Sequence, residues 1–517
     1  MGRKTRTDGE LGPLYIQDHK RPVTRRQFLA QGFMTGAATV TAPTLLGLLA
    51  GRAQAQFAPC TSPVGGAGMI PFIGFDLAGG ANIAGSNVLV GGPQGQEDLL
   101  SLGGYSKLGL PPDFTPQGSV ASVINSEFGL LFHENSALLA GIRARTSVGT
   151  RSRVNGVVFC SRSLNDTGNN ELNPLYGIAQ AGADGGLLTL IGTRSSVSGG
   201  NSLSPDYLID PSLRPTQIRR AADATGLVDA GRMSEFLGEF GAGRVAAAAE
   251  AISGHKIDRL ETLGEQAIAT SMLRSAYADS TQLVQLFSSP DSLNPNLDPI
   301  ITGQVDSIFS AADLSQSTFE KTAAVMKLVV NQHVGAAMIE IGGYDYHDST
   351  RATGETRDRR AGEAIGACLE YAARSCNDLV IHVISDGSVA SDGQIDNSGA
   401  GGGKGIWKGD NSSTAASFML VYSKDEVAGR PLMVNDPTQL SGVRQQVGYF
   451  RSDGSVEVAA TEMSNKPSAL AETAILNYLA LHGLDSQFET LLPNWTLGQS
   501  APRDQLIAFQ PLRTPTP

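Results

Sequence analysis

The chain has 517 residues, of which 39 are basic and 50 are acidic, so its formal net charge is −11. This acidic balance argues against nucleic acid and anionic lipid as partners, because both require a basic binding face. Four cysteines in so long a chain do not form a disulfide scaffold of the kind that holds small secreted domains together.

The first 55 residues have the features of a leader read by the twin-arginine (Tat) translocase. Residues 24–29 (TRRQFL) contain the arginine pair, and an apolar run follows over residues 33–50. Ala53 and Ala55 offer small residues at the spacing of a signal-peptidase site. Glycine and proline interrupt the short apolar run, so we expect cleavage and no stable membrane span. The leader takes eight basic and three acidic residues, which leaves 31 basic and 47 acidic residues in a periplasmic or secreted protein.

Apolar runs and helical periodicity after the leader predict alternating strands and helices. Strands are expected over residues 70–76, 137–142, 187–191, 334–341, 379–384 and 418–422. Helices are expected within residues 243–287 and over residues 317–332, 355–376 and 467–482. This order predicts one α/β domain over residues 56–517, a three-layer αβα sandwich with a mostly parallel sheet and a mainly helical insertion around 205–330. The glycine-rich residues 399–405 are expected to form a mobile loop.

Polar side chains stand where several of these strands end. Asp76 ends the first strand, Asp345 and His347 follow the strand that ends at residue 341, and Asp386 follows the strand 379–384. Asp410 precedes the last strand. In an open parallel sheet, ligands collect beyond the carboxyl ends of the strands. Carboxylate and imidazole groups gathered there suit a divalent metal ion, although a single Asp at a strand end often only caps a helix.

These motifs resemble those of the secreted DUF1501 proteins, a branch of the alkaline-phosphatase-like superfamily. Such proteins carry a Tat leader followed by Asp-Leu-x-Gly-Gly-Asn-Asp, Trp-Asp-Thr-His, Ser-Glu-Phe-Gly-Arg and Asp-His-Gly motifs. Residues 75–82 (FDLAGGAN), 344–347 (YDYH), 385–387 (SDG) and 409–411 (GDN) stand at the corresponding places. The resemblance implies an alkaline-phosphatase-like fold and a divalent metal site, with Zn, Mg, Mn and Ca left open. The implied ligands are Asp76, Asp345, His347, Asp386, Asp410 and Asn411.

A nucleophile is also implied by the resemblance. The family's Arg-Ser-His-Phe stretch has its nearest match in residues 151–154 (RSRV), which implies Ser152 as the attacking hydroxyl. Arg151 and Arg153 would clamp the oxygens of a small anionic substrate, a phosphate or sulfate ester. Arg143 and Arg145 are further candidates for this clamp. The alternative for this arginine cluster is a solvated surface turn.

Three departures from the family pattern leave a second function open. Asn411 stands where the last motif has histidine, Arg153 stands where histidine follows the nucleophile, and the arginine after Ser-Glu-Phe-Gly is missing. Loss of an imidazole weakens zinc binding more than magnesium or calcium binding. The two hypotheses are therefore a metal-dependent ester hydrolase and a catalytically degenerate relative that serves as a secreted or envelope binding or structural protein.

The four cysteines are Cys60, Cys160, Cys368 and Cys376. No Cys-x-x-Cys pair occurs, and eight residues along one predicted helix place Cys368 and Cys376 too far apart to bridge. We expect buried or incidental thiols, with a Cys60–Cys160 bridge as the alternative.

Overall fold

The computed structural model describes residues 68–117, 123–164, 168–228, 290–347, 349–498 and 500–513. The predicted leader and the predicted helices of residues 243–287 lie outside these ranges, as does part of the predicted insertion around 205–330. The described strands are β1 (Phe72–Ala78), β2 (Ile124–Phe128), β3 (Leu130–His133), β4 (Val154–Phe159), β5 (Leu188–Gly192), β6 (Thr216–Gln217), β7 (Val334–Gly342), β8 (Leu379–Ile384), β9 (Val389–Asp396), β10 (Lys404–Asp410), β11 (Ser417–Tyr422) and β12 (Gln446–Val447).

The helices of the described ranges are mostly short, and three of them have 14 or more residues. They are α1 (Leu102–Lys107), α2 (Ala137–Arg145), α3 (Val148–Ser152), α4 (Leu175–Gln180), α5 (Ala221–Thr225), α6 (Pro299–Thr302), α7 (Ala311–Leu314), α8 (Ser317–Val330), α9 (Ala352–Arg374), α10 (Glu462–Asn465), α11 (Pro467–Ala480), α12 (Phe488–Leu491) and α13 (Ser500–Asp504). Short 3-10 turns occur at Pro112–Phe114, Asp206–Leu208, Pro211–Leu213, Pro290–Leu293, Pro295–Leu297, Ser412–Thr414 and Asp485–Gln487.

An eight-stranded sheet organises the chain, in the order β12-β4-β11-β8-β1-β7-β5-β6. Strands β8, β1, β7, β5 and β6 pair in parallel, as do β4 and β12, whereas β11 runs antiparallel to both β4 and β8. The carboxyl ends of β1, β4, β7 and β8 therefore meet at one edge of the sheet, which we call the carboxyl edge. The opposite edge is called the amino edge.

Helices cover the sheet because its central strands are apolar on both faces. Every residue of β1, β8 and β11 is buried. One core cluster joins alternate residues of these strands to α4 and α11. Helix α8 contacts β7, β1 and α9, and α9 contacts β8, β11 and α2. The molecule is thus a mixed α/β protein with a large, mostly parallel sheet, compatible with a three-layer sandwich.

Most long elements lie close to their predicted bounds, but residues 137–142 form the helix α2 and the predicted strand there is wrong. Ser136 caps this helix by accepting a hydrogen bond from the backbone N–H of Leu139 (3.0 Å). Leu138 and Ile142 are both buried, which is the four-residue spacing of a helix face. Residues 399–403 turn between β9 and β10, and β10 begins at Lys404, so the predicted loop is shorter than expected.

Two of the cysteines are the buried thiols that the sequence predicts, and one is not. Cys160 is a buried free thiol, which excludes the Cys60–Cys160 bridge, and Cys368 is a second buried free thiol. Cys376 is disulfide-bonded. Within the described ranges, no helix combines the length and the apolar character required to cross a membrane.

Candidate functional site

Asp76 lies near the carboxyl end of β1 and is completely buried. Its Oδ2 accepts hydrogen bonds from the backbone N–H groups of Asn201 (2.7 Å) and Ser202 (2.6 Å), and its Oδ1 accepts one from the Ser202 hydroxyl (3.1 Å). Burial raises the pKa of Asp76 to about 7, and the nearby carboxylate of Asp386 adds to the rise. Gly200 permits this close approach, because a Cβ at that position would lie 2.8 Å from Asp76 Oδ2. Asp76 is therefore sealed beneath the loop that follows β5.

Asp386 stands two residues beyond β8 and faces the turn that follows β1. Its Oδ1 accepts hydrogen bonds from the backbone N–H groups of Gly79 (2.8 Å) and Gly80 (3.1 Å). Both glycines have positive φ, at 117° and 91°, a conformation that other residues rarely adopt. A Cβ on Gly79 would also lie 2.5 Å from the backbone nitrogen of Asp345, so this turn needs glycine for space as well. The turn thus ties the end of β8 to the end of β1.

Asn201 connects the two carboxylates, which we call the inner pair (Asp76 and Asp386). Its backbone N–H donates to Asp76, and its side-chain amide donates to Asp386 Oδ2 (2.7 Å). Arg194 donates to Asn201 Oδ1 (2.8 Å) and forms an ion pair with Glu340 (3.1 Å), which fixes the orientation of the amide. Burial raises the pKa of Asp386. We call Asn201 and Ser202 the latch, because both donate hydrogen bonds to the inner pair.

Asp345, His347 and Asp410 form a second, solvent-exposed group at the carboxyl edge, here called the outer cluster. His347 Nε2 lies 2.8 Å from Asp345 Oδ1 and 3.7 Å from Asp410 Oδ1. The side chain of Asp345 is 76% exposed, whereas those of His347 and Asp410 are 39% and 40% exposed. Asn411 lies beside the cluster, but its Oδ1 accepts hydrogen bonds from the backbone and hydroxyl of Ser413 (3.0 and 2.6 Å). Asn411 therefore caps a turn.

The predicted metal ligands thus reach one sheet edge but divide into two groups. Among the described residues, no set of three or more His, Cys, Asp or Glu side chains is arranged to hold a metal ion. Each oxygen of the inner pair already accepts a hydrogen bond from the protein. As arranged, these residues do not match the donor set of a two-metal centre, and we derive no catalytic step through a metal.

Ser152 lies away from both groups. It ends α3, directly before β4, and β4 runs in the same direction as β8 and β1. Ser152 is therefore at the amino edge, about 20 Å from the carboxyl edge at 3.3 Å for each of the six residues of β4. Its exposed hydroxyl donates to the carbonyl of Gly149 (2.9 Å). The structure does not bring Ser152 to the carboxylates that the predicted reaction requires beside it.

The arginines around Ser152 are engaged in surface contacts at the same edge. Arg151 lies 3.5 Å from the carboxylate of Glu127, and Arg153 stacks over the ring of Tyr422 at 5.3 Å. Arg153 also donates to the carbonyl of Lys424 (3.2 Å). The two other candidates are likewise paired, Arg143 with Glu127 and Glu134, and Arg145 with Asp313 and Glu363. The four arginines are thus engaged with protein partners, and Arg151 and Arg153 lie with Ser152 away from the inner pair.

Sequence reasoning missed a serine at the carboxyl end of β4. Ser163 is buried, and its hydroxyl has no hydrogen-bond partner among the described residues. The next backbone N–H, of Leu164, donates to Asn170 Oδ1 (2.6 Å), and the Asn170 amide donates to the carbonyl of Asp386 (2.6 Å). Ser163 therefore lies at the same edge as the inner pair. The sequence could have indicated this position only if residues 154–159 had been predicted as a strand of the central sheet, because Ser163 follows the carboxyl end of that strand.

A cleft of about 390 Å³ opens beside this serine, between the segment that follows β4 and the start of α11. Two cationic side chains and one carboxylate line it, and burial together with Asp206 raises the pKa of that carboxylate, Glu171. The lining residues are Arg162, Leu164, Asn169, Glu171, Asn465, Lys466, Pro467 and Ser468.

Comparison with models of known families and with curated proteins gives no match for this chain. The resemblance to the DUF1501 proteins therefore stays a prediction from the short motifs.

Proposed function

We propose that this chain is a catalytically degenerate relative of the metal-dependent ester hydrolases, exported to the periplasm or beyond, where it binds a partner without hydrolysing it. The single observation that supports this proposal is that the latch and the turn after β1 together hydrogen-bond the inner pair. Six hydrogen bonds from protein donors reach the four oxygens of the inner pair, at distances between 2.6 and 3.1 Å. In this proposal the inner pair holds the fold together.

The physical argument concerns what surrounds the two carboxylates. An N–H donor presents its positive hydrogen to the carboxylate oxygen, in the position from which a cation would approach. Asp76 receives two backbone donors on one oxygen, and Asp386 receives two on another. Backbone donors held by Gly79, Gly80 and the latch cannot rotate away as side chains do. A cation would have to displace the loop after β5 to reach Asp76.

The DUF1501-like motif order and the mixed α/β sheet support descent from the alkaline-phosphatase-like scaffold. The Tat-like leader of residues 1–55, with its twin-arginine motif at 24–29, supports export, and the acidic balance of the remaining chain suits a secreted protein. Among the described residues, the outer cluster and the cleft beside Ser163 are accessible groups of this part of the molecule. We expect an envelope or extracellular partner to contact this surface.

Turnover measurements test the proposal. Protein starting at residue 56 is supplied in turn with Zn²⁺, Mn²⁺, Mg²⁺ and Ca²⁺ and assayed with nitrophenyl phosphate and nitrophenyl sulfate. If the protein has no hydrolase site, the wild type and Asp345→Ala should show the same background rate of hydrolysis. Asp392→Ala is the matched control, because Asp392 is also an exposed carboxylate near this edge. A rate that Asp345→Ala abolishes and Asp392→Ala retains would overturn the proposal.

The second candidate is the ester hydrolase itself, favoured by the outer cluster. His347 Nε2 lies 2.8 Å from Asp345 Oδ1 and 3.7 Å from Asp410 Oδ1. Adjacent ligand atoms around one metal ion lie about 3.0 to 3.5 Å apart when the metal–ligand bonds are near 2.1 Å. The two observed distances lie on either side of this range. A bound divalent ion would supply charge neutralisation to a phosphate or sulfate ester. Ser163 supplies a hydroxyl at the same edge, so its replacement distinguishes the hydrolase from the non-catalytic relative. The hydrolase hypothesis predicts that Ser163→Ala abolishes turnover and that Ser152→Ala does not.

A further inference from the structure

We propose that three cations at the carboxyl edge form a binding site for a small tetrahedral oxyanion of the phosphate or sulfate class. They are Arg194, which follows β5, Arg219, which follows β6, and Lys321, which lies near the start of α8. We call these three residues the basic corner. It shares no residue with the inner pair or the outer cluster, and the inference does not depend on whether the chain hydrolyses esters.

The register of the parallel sheet places two of these cations in one row. Gly192 of β5 pairs with residues of both neighbouring strands, β7 and β6. Two residues beyond these pairs stand Arg194, Arg219 and, in β7, Glu340. Side chains at the same register of parallel strands lie on the same face, and neighbouring strands are about 4.8 Å apart. The ion pair between Arg194 and Glu340 (3.1 Å) agrees with this placement.

Lys321 reaches the same row from α8. Its Nζ donates a hydrogen bond to the backbone carbonyl of Glu340. Helix α8 also contacts α5, the helix that begins two residues after Arg219. Burial lowers the pKa of Lys321, and the Arg219 guanidinium lowers it further, whereas Glu340 raises it. The three cations therefore approach one another from β5, β6 and α8.

The basic corner carries more positive charge than the described residues offset. Glu340 forms an ion pair with one of its three cations. Within the described ranges, neither Lys321 nor Arg219 forms an ion pair with a carboxylate. Asp223 accepts a hydrogen bond from the backbone N–H of Arg219 (2.8 Å), but its carboxylate pairs with the guanidinium of Arg220 (3.4 Å). In a chain with a net charge of −11, such a local excess of positive charge favours an anionic ligand.

The remaining donors favour an anion with more than two acceptor oxygens. The guanidinium of Arg194 is 46% exposed and uses only Nη1, for Glu340 and Asn201. The ammonium of Lys321 can donate three hydrogen bonds and donates one to the described residues. A carboxylate has two oxygens in one plane, whereas phosphate and sulfate can accept hydrogen bonds from several directions. The corner also lies beyond the carboxyl ends of parallel strands, where ligands of such sheets collect.

Calorimetric titration of the full-length chain with inorganic phosphate at low ionic strength tests the site. We expect one phosphate per chain, and its affinity should fall as sodium chloride is added, because salt screens exposed charges. Acetate, a planar carboxylate, should bind at least about tenfold more weakly, because it satisfies fewer of the charged donors. The absence of saturable phosphate binding, or acetate binding of equal strength, would overturn the proposal.

Single substitutions locate the bound phosphate. Arg219→Ala and Lys321→Met should each weaken phosphate binding by about tenfold or more, because each removes a charge-assisted hydrogen bond. Arg220→Ala is the matched control, since Arg220 is adjacent in the chain and its charge is offset by Asp223. Lys466→Ala removes a cation of the cleft beside Ser163. Both controls should keep the wild-type affinity. Unchanged binding in Arg219→Ala, or loss of binding in Lys466→Ala, would contradict the assignment.

Thermal melts separate a loss of binding from a loss of folding. Arg219 is exposed, so Arg219→Ala should melt at the wild-type temperature when phosphate is absent. Phosphate should raise the melting temperature of the wild type and of Arg220→Ala, because a ligand that binds only the folded state stabilises it. The rise should be smaller in Arg219→Ala, and an equal rise in both variants would count against the basic corner.

Discussion

Replacing Asp358 with asparagine should make the protein less sensitive to rising pH. Asp358 lies in α9, is buried, and accepts a hydrogen bond from the Asn87 amide (2.8 Å). Burial raises the pKa of Asp358 from 3.8 to about 7. In the unfolded chain the same carboxyl ionises near its usual value, so between these two pH values the folded state holds a proton that the unfolded state has lost. The stability that this proton provides is complete below about pH 4 and is lost as the pH rises through 7.

The size of the effect follows from the pKa difference. At about 1.4 kcal/mol for each pH unit, the displacement from 3.8 to about 7 corresponds to about 4 kcal/mol at most. Asparagine keeps the acceptor for Asn87 and does not ionise. Between pH 5 and pH 8 the unfolding free energy of Asp358→Asn, relative to that of the wild type, should therefore rise by about 2 to 3 kcal/mol.

Urea unfolding at pH 5, 6, 7 and 8 measures this difference directly. Asp392→Asn provides the matched control at an exposed aspartate and should give a difference that is flat with pH. If the difference for Asp358→Asn is also flat across this range, the raised pKa and the reasoning from burial are refuted.

Three further predictions concern single side chains. Asn201→Ala should lower the unfolding free energy by about 1 to 3 kcal/mol in urea titrations, because Asp386 loses a donor, whereas exposed Asn397→Ala should change it by less than about 0.5 kcal/mol. His382 is buried, neither ring nitrogen has a hydrogen-bond partner within the described ranges, and burial lowers its pKa to about 3, so the wild type loses stability as the pH falls below 6.5. His382→Leu should move the acid-unfolding midpoint to lower pH, and coincident midpoints would contradict this. Ser152→Ala should leave the melting temperature and any turnover unchanged, and a loss of turnover would return Ser152 to the site.

The strands that the sequence predicts well are those buried on both faces. Strands β1, β7 and β8 form apolar runs that are each interrupted by a single polar or charged residue, and near-continuous runs of this kind are typical of central parallel strands. Strand β4 contains Asn155 and Gly156, and the middle of β9 is polar (residues 391–394, SDGQ), so neither has such a run. Residues 137–142 predict a strand but form part of the helix α2, because a short apolar run does not show the periodicity that distinguishes a helix from a buried strand.

In the candidate site, likewise, some features follow from local sequence patterns and others depend on the packing of segments that are distant in the sequence. The meeting of Asp76 with Asp386 follows from strand ends in a parallel sheet, which a sequence can indicate. The latch lies in a loop rich in serine and glycine, and its approach to Asp76 depends on the packing of β5 beside β7. The structure places Ser152 away from the site that the resemblance implies, because a match of two residues carries no information about which edge of the sheet they occupy.

The metal content of the protein tests the role of the inner pair most directly. Protein starting at residue 56, purified without chelator and analysed by plasma mass spectrometry, should contain divalent metal far below one ion per chain, and Asp386→Asn should not change that content. One or more tightly held divalent ions per chain, lost in Asp386→Asn, would contradict the account of the latch.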